Sequence, residues 1–555
     1  MVASAALIGA LAPGAVIAQQ GVIAQEAQPR DFEDDALREA AAAAPPVDPE
    51  PQVEPGAPVL ALTLIDALDI ALSNNLTLAV EELNAETADL NRRGSWGAFD
   101  PVFGLTASYQ DAEQPQANTI ITGGAPAIEN EDISLDANLT APITTGGSFR
   151  LGFVESLTDT NNPGITSTFE DGTFANAVLS AGYTQPLLRG AWARAATADQ
   201  RESEIEVRVR QAALEAVRNQ VLTDVSNAYW DLVAAREQER VQVNALELAR
   251  EQLMQNSERL RVGVGTEVDV LQAETQVAQE EEALLRARAD VRARSDALKA
   301  LILRRSDDTT SAWDEYLDLW GLPIEPLTDL PPVESMPELD TDGNIWRAAL
   351  DEALELRPEL QQALYEIDRA EVRLDRARSD RLPGLDLNLD ANSSSFEDTV
   401  ADAFETATEL EFITYSGSLG FQVPLGNRSA KYAERAARAA LRTARLQLEQ
   451  TEANVVSEIR DAVRAVETEA QAVLAAAKSS AFTQRQLEAE QARYKEGLAT
   501  TFQVLEFQQQ LVEAQSAENA ALANHAKALV ALERARGTIV DRLRELKQRA
   551  NDPAE

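Results

Sequence analysis

Side chains able to carry covalent or acid–base chemistry are scarce in this chain. There is no cysteine and a single histidine, His525. The first fact excludes disulfides, thiolate metal sites, cysteine nucleophiles and a lipid-bearing N-terminal cysteine. The second leaves no cluster for zinc or for histidine acid–base work. His525 lies in an Ala/Leu-rich helical run and reads as a packed or solvated residue. No Walker-type or dinucleotide-type glycine motif occurs. An enzyme is not expected, nor a cofactor, nor a metal. Carboxylate is what the chain has in excess: 92 Asp and Glu against 49 Lys and Arg, a net charge of −43. That balance disfavours nucleic acid and anionic membrane surfaces as partners, and most of it serves solubility. A few carboxylates stand where they could do electrostatic work. Glu267, Asp269 and Glu274 follow one glycine turn and Glu506 follows a second. Several copies crowded on one axis would favour cations and resist anions.

The elements that hold these groups are helical hairpins. Gly263 and Gly265 end one long helix, as glycines that can take the left-handed conformation. Thr266 then opens the next helix with Asp269 at the capping-box position, and Thr500 with Gln503 repeats the pattern after Gly497. The helices entering the turns run from about Thr197 to Val262 and from about Ser429 to Glu496, with no internal proline or glycine. At ~1.5 Å per residue each would reach roughly 100 Å, a length no compact globular domain uses. Leu222, Val225, Tyr229 and Leu232 are spaced as a coiled-coil seam, repeated by Val456, Ile459, Val463 and Val466.

The chain is written twice. Leu64 to Leu78 matches Trp346 to Leu360, and Arg259 to Leu271 matches Arg493 to Leu505. Two copies make a duplication rather than a solenoid. Each copy reads helix, strands, very long helix, tight turn, helix. In the strands apolar and polar residues alternate: Phe103, Leu105, Ala107 and Tyr109; Leu179, Ala181 and Tyr183; Leu385, Leu387, Leu389 and Ala391; Leu419, Phe421 and Val423. This is the pattern of a membrane barrel wall, and equally of a half-buried soluble sheet. Four strands cannot close a pore, so a barrel requires several copies. The first copy adds a pair, Ile133 to Leu139 and Phe149 to Phe153, joined by Thr144 to Gly147. It is either two more barrel strands or a hairpin at the outer mouth.

Met1 to Ala18 is apolar and rich in small residues, like a secretory signal with cleavage after Ala18 or Ala24, although Arg30 is the first basic residue. The expected plan is a signal peptide over 1–24, a disordered acidic and proline-rich linker over 25–60, a first repeat over 61–305, an inter-repeat segment over 306–345, a second repeat over 346–546 and a tail over 547–555. Strands are expected near 102–110, 132–157, 177–186, 384–393 and 415–424, and hairpin tips near 262–267 and 496–501. No later apolar run has the length of a spanning helix, so entry into a membrane must be as strands.

In this order, and in duplicate, the features resemble the TolC family of outer-membrane efflux and secretion ducts, from Leu62 to about Leu546. The likeness is carried by Leu62 to Asn75, Phe99-Asp100-Pro101, Gln185 to Gly190, the Gly263 tip with Val268-Asp269-Val270-Leu271, and Arg357-Pro358-Glu359-Leu360. It implies an α+β, predominantly α fold. A homotrimer shares one transmembrane β-barrel and an α-helical coiled-coil barrel, with an equatorial region from around Ser306–Gly343 and the C-terminus. It further implies outer-membrane lipid around the barrel and a periplasmic adaptor docked on the tips at Gly263, Gly265, Thr266, Gly497 and Thr500. An inner-membrane RND or ABC transporter would supply the energy. The resemblance also implies an aperture closed by acidic side chains, a tyrosine and an arginine. Asp269, Tyr494 and Glu506 match three of these positions. Gln503 replaces a second aspartate and Ala499 the arginine, so the implied bonding network is altered. The added first-copy pair departs from the twelve-strand barrel implied. Multidrug efflux and type I protein secretion are not separated by the sequence. A reading of another class is an exported coiled-coil structural or adhesive protein without a pore, which would have no need of the duplicated strand sets.

Overall fold

The computed structural model of the chain describes residues 59–115, 124, 126–169, 172–305, 311–331 and 345–551. The expected signal peptide, nearly all of the linker and parts of the inter-repeat segment lie outside the described residues. The first copy comprises β1 (Leu60–Leu62), α1 (Leu64–Asn74), α2 (Leu76–Ser95), β2 (Val102–Pro115), β3 (Ala127–Pro142), β4 (Ser148–Thr160), the single turn α3 (Pro163–Thr166), β5 (Thr173–Pro186), the short α4 (Trp192–Ala196), α5 (Ala198–Arg261) and α6 (Glu267–Ile302). After α7 (Ser311–Gly321) and β6 (Ile324–Pro326), the second copy comprises α8 (Ile345–Leu356), α9 (Pro358–Asp380), β7 (Gly384–Glu397), α10 (Val400–Thr408), β8 (Ile413–Gln422), α11 (Arg428–Lys495) and α12 (Thr501–Arg536), with α13 (Ile539–Asn551) closing the chain.

Long uninterrupted runs of good helix formers make α5 and α11, of 64 and 68 residues, the longest elements. Each folds back through a tight turn onto a 36-residue partner, α6 or α12. The seam residues Leu222, Val225, Tyr229 and Leu232 are fully buried. In the second copy Ile459 and Val463 take the corresponding places, but Val455 rather than Val456 is the innermost residue. Around the first seam, α1, α6, α12, α13 and the two-stranded parallel sheet β1–β6 form the largest core, with Tyr229 donating to the Leu62 carbonyl at 3.1 Å. Around the second, Ala349, Ala353 and Leu360 pack on Ile459. His525 is buried, so the packed reading holds and the solvated one does not. Closer to the strands, Asp199, Glu202 and Glu206 on α5 pair with Arg376, Arg373 and Arg369 on α9, in antiparallel order.

The remaining strands form one six-stranded antiparallel sheet in the order β2-β3-β4-β5-β7-β8. Its register separates the faces. Phe103, Leu139, Leu151, Ala181, Ala391 and Tyr415 form one row across all six strands, and Gly104, Asn138, Gly152, Ser180, Asn392 and Thr414 form the next. One face is therefore largely apolar and the other largely polar, with Glu155 on the first and Val154 and Val178 on the second, and Phe103, Leu105, Tyr109, Leu419 and Phe421 are exposed on the apolar one. Among the described residues no helix is long and apolar enough to cross a membrane.

Three further details of the fold differ from the sequence reading. Val423 and Pro424 stand beyond β8, which ends at Gln422. Helix α13 runs through Asn551, into the stretch expected as a tail. Helix α10, for which no signal was read, lies on the apolar face. Its Ala403 and Ala407 sit against Ala175 and Ala177, and Phe404 meets Phe153 edge-on at 5.4 Å.

Candidate functional site

The hairpin tips are built by backbone first. Gly263 and Gly497 adopt φ of +79° and +77°, the left-handed turn that ends α5 and α11. Gly265 does not share that conformation, correcting the expectation; a side chain there would press on the backbone of Arg259 and Leu260 instead. Each following helix opens with a capping box. The Asp269 amide donates to Thr266 Oγ1 at 3.2 Å, and the Thr266 amide donates back to Asp269 Oδ2 at 3.1 Å. Gln503 serves Thr500 in the same way, at 3.3 and 2.9 Å. The hydrogen bond from Thr266, above all, holds the Asp269 carboxyl below the usual carboxylate range. Thr501 and the charge of Arg259 add to that, against partial burial.

Where the two hairpins meet, a polar cluster joins them. Tyr494, on α11, is buried with only 6% of its surface exposed. Its hydroxyl donates to Asn256 Oδ1 on α5 at 2.7 Å and shares a 3.2 Å bond with Thr501 Oγ1 on α12. Gln252 Nε2 donates to the same Asn256 oxygen at 2.8 Å, while Asn256 Nδ2 donates to the Asp269 carbonyl at 2.9 Å. Arg259 Nη1 donates to the Tyr494 carbonyl at 3.1 Å, and its guanidinium lies 4.5 Å from the Tyr494 ring centroid, a cation–π distance. The duplication has been broken here. Asn256 corresponds to Glu490, and Arg259 to Arg493. Arg493 stays within its own hairpin, on Glu490 at 3.0 Å and on the Leu498 carbonyl at 3.3 Å.

The structure thus brings two of the four aperture candidates together, Asp269 and Tyr494, through Asn256 and Thr501. It leaves Gln503 and Glu506 on the exposed side of α12, where Glu506 receives only a 3.4 Å bond from Gln510. Glu267 and Glu274 are likewise exposed. Asn256, Gln252, Arg259 and Thr501 were missed by the sequence reading. Their signal was present: Gln252 and Asn256 are polar residues at i, i+4 in line with the buried face of α5. The tips also expose apolar side chains, with Val264, Val268, Leu271, Leu498 and Phe502 all open to solvent.

The sequence profile of a family described as "Outer membrane efflux protein" matches residues 67–302 and 349–538. Similar folds occur among solved structures. The CmeC outer membrane channel of Campylobacter jejuni is 19% identical, with a TM-score of 0.61 over 87% of this chain and 88% of that one. The outer membrane protein VceC of Vibrio cholerae is 17% identical, with a TM-score of 0.59 over 85% and 96%. The MtrE outer membrane channel of Neisseria gonorrhoeae, in its open state, is 16% identical, with a TM-score of 0.57 over 85% and 88%. At such identities the likeness is one of fold. No curated protein matches the sequence.

Proposed function

The chain belongs to the outer membrane efflux protein family, and from that premise we propose that three copies join edge to edge as a passive exit duct in a tripartite efflux or type I secretion system. Strand β8 of one copy pairs with β2 of the next, closing a barrel whose apolar face meets outer-membrane lipid and whose polar face lines water. The hairpins of the three copies stand side by side below it as a tunnel into the periplasm. The observation that carries this reading is the sheet itself. Among the described residues both outer strands are long, unpaired edges, with one apolar and one polar face, an arrangement that in water invites aggregation. Closure into a ring removes the edges and puts the apolar face where it belongs.

At the inner end, Asp269 and Tyr494 hold the hairpins of one copy together, while Gln503 and Glu506 face the space that neighbouring copies would share. Opening then parts one copy from the next rather than splitting a copy at its own tip. The turns at Gly263, Gly265, Thr266, Gly497 and Thr500, with the exposed valines and leucines around them, supply an apolar landing for a periplasmic adaptor. The adaptor's transporter, of the RND or ABC type, provides the energy and chooses the cargo. Purified protein in planar bilayers tests the reading. It is expected to give discrete single-channel steps and, in detergent, the mass of a trimer. A soluble rod without conductance would leave only the structural coiled-coil alternative.

A further inference from the structure

We infer that the hairpin β3–β4 forms part of the barrel wall, so that three copies close eighteen strands, in a barrel wider than the twelve strands without it would close. The inference rests on the trimeric duct reading above. Three observations carry it.

The first is connectivity within the sheet. Among the described residues, strand β2 pairs only with β3, and β4 only with β3 and β5. Residues Val102 to Pro115 are matched along their whole length by β3, and Ser148 to Asp159 by β5. In this ladder the hairpin is what joins β2 to the rest of the sheet of its own copy. The second is face parity. Leu139 and Leu151 lie in an apolar row with Phe103 and Ala181, and Asn138 and Arg150 in polar rows, in step with β2 on one side and β5 on the other; Leu135 and Asp136 continue these two faces. A loop folded over the mouth would have no reason to keep that step.

The third is the turn at the end nearest the helices. Gln185 on β5 donates from Nε2 to the Thr145 carbonyl at 3.0 Å and accepts from Thr145 Oγ1 at 2.8 Å. The Trp192 amide donates to the same Thr145 carbonyl at 2.9 Å, from a residue held at φ +67° that a tryptophan rarely adopts. Gly146 lies so close beneath the Gly190 carbonyl that no side chain fits between them. The turn is fastened to the corner where β5 hands over to α4.

Strands β2, β5, β7 and β8 each run into a helix at that end, whereas β3 and β4 run only into each other. The hairpin therefore widens the wall without adding a rod to the tunnel. With strands ~4.7 Å apart and tilted by ~40°, eighteen strands give a ring of roughly 35 Å between backbones, against roughly 24 Å for twelve. Allowing for side chains, the free bore is roughly 25 Å rather than roughly 14 Å. An α-helix with its side chains is ~10–12 Å across, so the wide bore takes helices abreast where the narrow one takes a single helix. A small molecule uses neither width fully. The cargo class that gains is a polypeptide able to take up local structure inside the exit.

The absence of cysteine allows a direct test on the full-length protein. Asp136→Cys and Arg150→Cys lie on the polar face, and Leu135→Cys and Leu151→Cys on the apolar one. In planar bilayers a charged, membrane-impermeant methanethiosulfonate should reduce conductance through the first pair and leave the second unchanged. Unsubstituted channels should also admit, from the barrel side, a polyethylene glycol of about 10 Å hydrodynamic radius, which a twelve-strand bore would exclude. Equal reactivity on both faces, or exclusion of that glycol from a conducting trimer, would overturn the eighteen-strand wall while leaving the duct intact. Absence of conductance from the unsubstituted protein would instead remove the duct reading, and this inference with it.

Discussion

Tyr494 earns its place by what its hydroxyl touches. Tyr494→Phe removes the bonds to Asn256 and Thr501 in a buried site and is expected to cost about 1–2 kcal/mol, read as a lower melting temperature by circular dichroism. It should leave the open fraction of single channels unchanged, because these bonds lie within one copy and opening parts one copy from the next. Asp269→Asn with Glu506→Gln should lower cation selectivity; unchanged reversal potentials in asymmetric salt would take both residues off the aperture. The sign of the pH dependence follows from the depressed carboxyl of Asp269. Its contribution to stability is complete above the ordinary aspartate pKa of about 3.9 and is lost as pH falls through the lower folded value, so the tip should stay intact at mildly acid pH. At this scale the sequence was half legible. The caps showed themselves because Thr-x-x-Asp beside a glycine has a fixed use. The Asn256 junction did not, because it joins residues far apart in the chain, and a polar residue on a seam does not name its partner.

Among the elements, the two rods were plain to read, since proline-free and glycine-free runs of that length have few other fates. What the runs could not fix was rotation: Val455, not Val456, faces inward on α11. Ile459→Ala on that seam should cost about 2–5 kcal/mol through the cavity it leaves, measured by thermal or denaturant unfolding. On α6, Glu280 is nearly buried, and burial pushes its carboxyl above the ordinary glutamate value even though Gln276 donates to it at 2.6 Å. A raised folded pKa means that stability is fully present below the unfolded pKa and falls as pH rises through the folded one. Glu280→Gln is therefore expected to raise the melting temperature at pH 7 and to do little at pH 4. A larger gain at the lower pH would contradict this. The strands revealed their faces through alternation but not their neighbours, which is why β3–β4 stayed undecided until the ladder placed it. Helix α10 was hidden for another reason: it is short, and the room for it on the sheet is made by Ala175, Ala177 and Ser395, small residues that do not name what covers them.

For the whole molecule, the duplicated plan and the family were both legible, because a repeated order of weak motifs is more telling than any one of them. The lipid-facing role proposed for the apolar face of the sheet is tested on β8. Leu419→Arg, on exposed strand β8, is expected to cost about 2–4 kcal/mol in a bilayer if it lies near the midplane, seen as reduced insertion into vesicles. The ladder between α5 and α9 bears on how such a molecule can move. Its three acids stand on one rod and its three bases on the other, at intervals of three or four residues. A slip of half a turn along the axis would unmatch every rung, and a slip of a full turn, about 5.4 Å, would rematch two. Near the sheet the rods are thus keyed like a ratchet. Telescoping at the collar would cost these pairs, whereas twisting or bending farther along the rods, as an iris opens, leaves them in register.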